Sequence, residues 1–171
     1  MEPQPHPSPL VAVDSNVPLD LADGNESVRD ALDTIRARLT NARFVVTPSV
    51  FQELAHVALQ DPVAARRDLG RRALRQLKEW QLDLLEIVPV GHGIVERIAR
   101  RLRGAGLLPE EEVHDSLILA EAALLGCAVL LTSDSHLRGL DHARLTWELN
   151  ACDVSVPVIA TPREIIRKFF R

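Results

Sequence analysis

The sequence predicts an α/β fold, a three-layer α/β/α arrangement around a five-stranded parallel sheet. Three observations carry that prediction. Short apolar runs rich in β-branched residues are separated by segments whose apolar residues recur at helical spacing. These two kinds of segment alternate along the chain, as in βα units whose strands lie parallel under helices on both faces. No internal repeat and no linker divides the 171 residues, a length suited to one domain with a substantial core.

The elements follow in order. Residues 1–10 hold four alternating prolines and read as a flexible, extended tail, with neither the basic nor the apolar region of a secretory signal. The domain proper is expected over 11–171. Val11-Ala12-Val13 is the first strand, and Asp14-Ser15-Asn16 is the turn that leaves it. Asn25 to Thr40 places Val28, Ala31, Leu32, Ile35 and Leu39 on one helical face. Phe44-Val45-Val46 is a second strand. Thr47-Pro48 then supplies a helix cap and a proline at the first helical position, opening a helix to about Leu59.

Asp61-Pro62 breaks that helix, and Val63 to about Trp80 forms a second, basic one. Leu84 to Pro89 is expected as the third strand, and Gly91 to Arg103 as a helix ended by Gly104-Ala105-Gly106. A helix from His114 to Leu125 stops at Gly126. Ala128 to Leu131 is the fourth strand and runs into Thr132-Ser133-Asp134. Residues 137–153 are compatible with a loop holding one helical turn or with a short strand. Val154 to Ile159 is a fifth strand, and Thr161-Pro162 opens a last helix to Phe170.

Composition narrows the function. A hydrophobic content of 46% describes a soluble globular chain. No apolar run approaches the roughly 20 residues that span a bilayer, so no membrane partner is expected. Cys127 and Cys152 have no metal-type spacing and fit small buried hydrophobes of a reducing compartment, which favours the cytoplasm. The net charge of −4 argues against a surface that grips nucleic acid everywhere. Residues 61–106 nevertheless hold ten Lys/Arg against six Asp/Glu, so the basic residues are concentrated in one segment.

Topology brings the acids together. Parallel strands end on one edge of the sheet, where ligands of open α/β folds bind, and the helices between them start from that edge. Asp14 and Asp134 follow the first and fourth strands, while Glu53 and Asp115 lie near the starts of two descending helices. Each acid has a structural alternative as a turn cap, a dipole partner or a solvated helix residue. Four such residues need not choose one rim, so the alternatives weaken jointly. Clustered carboxylates raise one another's pKa unless a cation neutralises them, and oxygen-only ligands suit Mg²⁺ or Mn²⁺. Such a site supports metal-assisted hydrolysis of a phosphodiester.

Four motifs, in this order and spacing, make a recognisable set. They are Asp14-Ser-Asn16, Glu53 in Thr-Pro-Ser-Val-Phe-Gln-Glu-Leu, Asp115 in His-Asp-Ser-Leu-Ile-Leu-Ala, and Leu-Thr-Ser-Asp134-Ser-His-Leu. Together they resemble the PIN domain family, which includes the VapC-type toxin ribonucleases of toxin–antitoxin pairs. The resemblance runs from about Val11 to the end of the chain. It implies a PIN-like fold, metal-binding acids at Asp14, Glu53, Asp115 and Asp134, and supporting polar groups at Asn16 and Thr132. It further implies RNA as substrate, an antitoxin as partner and a homodimer.

Two departures stand out. Many relatives carry a further acid two residues after the fourth, where this chain has His136. A packing or hydrogen-bonding role at the turn is the reading taken, against a weaker second metal site or a phosphate contact. The tract between Glu53 and Asp115 is also long and basic, with Arg67, Arg71, Arg75 and Lys78 at helical spacing. That face is expected either to hold RNA phosphates without reading bases or to be an ordinary solvated helix.

Three other readings compete with this one. Glu53-x-x-His56 and Glu111-x-x-His114 imitate a di-iron motif, but that site needs four long facing helices, and strands intervene here. An aspartyl-nucleophile phosphatase would carry a second aspartate two residues after the first, where Asn16 stands. A PIN-like protein that binds RNA or a protein without cutting remains the serious alternative, since a fold does not fix a function. The four acids favour a metal-dependent ribonuclease over it.

Overall fold

Five strands form one all-parallel sheet in the order β3-β2-β1-β4-β5. They are β1 (Leu10–Val13), β2 (Arg43–Val46), β3 (Leu82–Leu84), β4 (Val129–Leu131) and β5 (Val158–Ala160). This computed structural model describes residues 8–169. The expected tail therefore lies largely outside the described residues, as does Phe170, and β1 already begins at Leu10. Val11, Ala12 and Val13 are all fully buried, and so are Val45 and Val46 in β2 and Leu130 and Leu131 in β4. Successive strand residues point to opposite faces, so burial of each in turn means that helices cover both.

Nine helices among the described residues provide that cover: α1 (Asn16–Ala22), α2 (Glu26–Arg38), α3 (Pro48–Gln60), α4 (Ala64–Gln76), α5 (Pro89–Gly104), α6 (Val113–Leu124), α7 (Ser135–Arg138), α8 (His142–Asn150) and α9 (Pro162–Phe169). α2 packs on α9, α3 on α4 and α6, and α5 on α6 and α8. Several boundaries follow from local chemistry. Asn25 caps α2 by accepting from the Val28 amide, and Pro48 sits at the start of α3 as the Thr-Pro signal predicts. Thr161 and Glu164 form a reciprocal capping box at α9: each side chain accepts from the other's backbone N–H, at 3.1 and 2.9 Å.

The sequence expectation needs four corrections. The fifth strand is Val158–Ala160 rather than Val154–Ile159, so residues 154–157 stand outside the sheet. The sequence predicts only a turn at Asp14-Ser15-Asn16 and no element before Asn25, yet α1 forms there: Pro18 lies in its first turn, where the missing N–H costs no helical bond, and Val17, Pro18 and Leu21 are buried. The third strand is Leu82–Leu84 rather than Leu84–Pro89. Its register pairs Phe44 with Leu82 and Val46 with Leu84, so pairing ends where the apolar run continues. The ambiguous segment 137–153 contains α8, capped by Asp141, which accepts from the amides of Ala143 and Arg144.

The α3–α4 hairpin is closed tightly. A Cβ on Gly70 would lie 2.8 Å from the backbone nitrogen of Ala58, so only glycine lets the two helices meet this closely. Arg67 bonds the carbonyl oxygens of Asp61 (2.7 Å) and Pro62 (3.3 Å) at the same turn. Gly70→Ala is expected to destabilise the protein by about 1–3 kcal/mol through overpacking. Urea unfolding should show a lower midpoint at unchanged slope.

Candidate metal centre

β1 and β4 are neighbours, with Val13 opposite Leu131, and the chain order reverses between them. Their carboxyl ends flank the position where open α/β sheets form a ligand crevice. Asp14 leaves β1 there and is nearly buried. Its Oδ1 accepts from the Ser15 amide (2.7 Å), and its Oδ2 accepts from Asn16 Nδ2 (2.7 Å) and Thr132 Oγ1 (2.6 Å). Burial raises the carboxyl above its ordinary pKa. The bonds from Thr132 and Ser15 partly oppose that rise, while Glu53 and Asp134 add to it.

Thr132 and Asn16 each hold two groups. The fully buried Thr132 hydroxyl donates to Asp14 and accepts from the Asp134 amide (2.9 Å), so one oxygen joins the two strand ends. Asn16 Oδ1 accepts from the Ser133 amide (3.1 Å) while its Nδ2 holds Asp14. Asp134 caps α7, its Oδ1 accepting from the amides of His136 (2.7 Å) and Leu137 (3.1 Å). Cap and cluster member are the same residue.

α3 and α6 bring the remaining acids. Asp115, in the first turn of α6, has its carboxyl pushed up to about 7. Burial is the largest cause, followed by the charges of Asp134, Asp14, Glu112 and Glu53. Asp115 thus lies in the field of the other three sequence-predicted acids. α3 is aligned on α6 by Glu121, a buried acid that accepts from Ser49 through its amide (3.1 Å) and its hydroxyl (2.8 Å). Arg103 of α5 donates to Ser116, beside Asp115.

Sequence reasoning missed Glu112 and Glu121. Glu112 stands three residues before Asp115, and that helical spacing was the available signal. His136 Nδ1 lies 3.1 Å from Glu112 Oε1 and 3.9 Å from Asp115 Oδ2. The ligand atoms of these three residues all lie within 4.8 Å of one another. Glu121 gave no signal, since its apolar surroundings suggested only a helix inside the core.

The basic face of α4 is placed differently. Arg67 closes the α3–α4 turn, Arg71 pairs with Asp68 (3.2 Å), and Arg75 and Lys78 line a groove beside the edge strand β3 with Leu74 and Leu84.

The family model described as PIN domain matches residues 11–143, well over half of the chain. The chain belongs to the PIN domain family. Solved structures share the fold of this PIN domain at low sequence identity. A chain of VapBC2 from Rickettsia felis, bound to a DNA fragment from their promoter, superposes with a TM-score of 0.61 at 12% identity, covering 89% of this chain and 98% of its own. VapBC-1 from nontypeable Haemophilus influenzae gives 0.57 at 15% identity over 90% and 98%. FitAcB from Neisseria gonorrhoeae gives 0.50 at 17% identity over 90% and 98%. No curated protein matches the chain.

The donor set of this PIN domain fits a hard divalent cation. Asp14 and Asp115 are raised in pKa by burial first and by neighbouring acids second, and a cation would relieve the part that the neighbouring charges cause. The same repulsion predicts a pH dependence. Between its ordinary value of 3.8 and about 7, Asp115 holds a proton in the folded chain that the unfolded chain has released. Its contribution to stability therefore falls as pH rises through that window. In chelator, Asp115→Asn should flatten the fall and melt above wild type at about pH 8, by about 2–4 °C per kcal/mol of repulsion removed. Thermal unfolding of both proteins from about pH 4 to 8 checks this.

Proposed function

We propose that this PIN domain is a Mg²⁺- or Mn²⁺-dependent ribonuclease that hydrolyses phosphodiester bonds, acting as the toxin of a toxin–antitoxin pair. The observation that supports the reading is that Asp115, raised first by burial, is raised further by the charges of Asp134, Asp14, Glu112 and Glu53. These acids would hold the cation. Once bound there, a divalent ion supplies Lewis-acid polarisation of the phosphodiester and acidifies water.

The chain's own groups do the positioning. Thr132, Asn16 and the Ser15 amide fix both oxygens of Asp14, so its charge is presented in one orientation. Asp134 is fixed through one oxygen by the α7 amides, which leaves Oδ2 for a ligand. No protein nucleophile is required. The toxin assignment draws on the fold shared with chains of the VapBC structures, and it makes a cognate antitoxin the expected partner.

The test is cleavage of labelled single-stranded RNA with Mn²⁺, Mg²⁺ or EDTA, beside Asp14→Asn. Metal-dependent cleavage reduced at least about 100-fold in the variant supports the reading. Equal cleavage by the two proteins overturns it. So does the absence of both cleavage and calorimetric Mn²⁺ binding, which moves the assignment to a non-catalytic PIN domain.

A further inference from the structure

An open cleft of about 690 Å³ lies against the acid rim on the side of α9. Ser133 forms part of its wall, between Thr132 and Asp134, and its amide is bonded to Asn16. α9 lines the cleft along its length, with Arg163 in its first turn and Arg167 in its last, and Arg138 of α7 also lines it. Three arginines face one aspartate, Asp20. Arg138 is engaged by Glu164 at 3.2 Å, and Glu164 is itself tied into the capping box of α9. Arg163 and Arg167 are exposed and have no ion-pair partner among the described residues.

From this arrangement we infer that the cleft is the seat of the RNA backbone next to the bond being cut, with Arg163 and Arg167 each taking a phosphate. The inference rests on the ribonuclease reading and adds the path of the substrate. A nucleic acid strand carries a phosphate at every residue, so a phosphate at the carboxylates brings its neighbours onto the flanking surface. A cationic flank favours that path, because a chain of net charge −4 with acids at the rim offers a polyanion little attraction at the cut itself. Guanidinium groups suit phosphate oxygens, which they bind through paired N–H donors. The platform is firm: Ile165 is buried, α9 packs along α2, and Arg38 bonds the Phe169 carbonyl at 3.1 Å. On α4, by comparison, Arg67 and Arg71 are already engaged, and Arg75 and Lys78 lie beside β3, two strands from β1.

The test is anisotropy titration of a labelled single-stranded RNA in EDTA, where no metal-dependent cleavage intervenes, at several salt concentrations. The proteins are wild type, Arg163→Ala/Arg167→Ala, and Arg75→Ala/Lys78→Ala as comparator. Arg167→Glu alone is a second variant should the double one fail to fold. Loss of two phosphate contacts should weaken binding about tenfold or more and make the log–log salt slope shallower by about 1.4. The comparator should bind like wild type, and calorimetric Mn²⁺ binding should be unchanged in the cleft variants. Wild-type affinity in the cleft variants, or weakening confined to the comparator, overturns the inference. In that event, metal-dependent cleavage by wild type that is lost in Asp14→Asn leaves the ribonuclease reading standing. A wild type that neither binds nor cuts RNA removes both.

Discussion

Like charge held at one edge is the constraint on which the rest of this structure depends. A parallel sheet delivers every strand's carboxyl end and every following helix's amino end to the same rim. Here the chain has placed acids at those points. Their repulsion and partial burial oppose folding in the absence of a counter-ion, as the raised carboxyls of Asp14 and Asp115 record. Hydrogen-bond donors at the rim restrain the acids. Asp14 accepts hydrogen bonds from Ser15, Asn16 and Thr132, and Asp134 accepts two from the helix it caps. A low-dielectric site built from fixed donors needs little rearrangement when charge develops within it.

Helix α6 serves both sides of that balance. Asp115 and Glu112 at its start add charge to the rim, while Glu121, almost two turns on, is satisfied entirely by the first turn of α3. A buried carboxylate against helix amides is a favourable pairing, because the amino end of a helix carries free N–H groups and partial positive charge. It fixes where α3 begins and so where Glu53 stands. One acid thus orients the helix that supplies another.

Much of this was legible in the sequence because the relevant signals are local and geometric. The Thr-Pro openings, the apolar runs and Asp-Ser-Asn after the first strand give element order, and element order in a parallel fold gives the shared rim. What escaped is what periodicity cannot express. The apolar run Leu84 to Val88 looks more strand-like than Leu82–Leu84, yet the register of an edge strand is set by its partner, β2. α1 was hidden by Pro18, a helix breaker everywhere except in the first turn. On α4 and the turn after it, Arg67, Arg71, Arg75 and Lys78 look alike in sequence. Only the fold separates Arg67, spent on closing a turn, from Arg75 and Lys78 beside a groove. Cys127 followed the simple rule: it is buried and free, and burial pushes its thiol up to about 11.

The Thr132 amide donates to the Ala160 carbonyl across β4 and β5 at 3.0 Å, while the hydroxyl of the same residue holds Asp14 and meets the Asp134 amide. Ala160 is followed immediately by the capping box of α9. Three residues therefore connect the outer edge of the sheet to two carboxylates at its centre, with no flexible segment between them. The seat of α9 on the sheet edge and the hold on Asp14 thus share one short run of hydrogen bonds through Thr132.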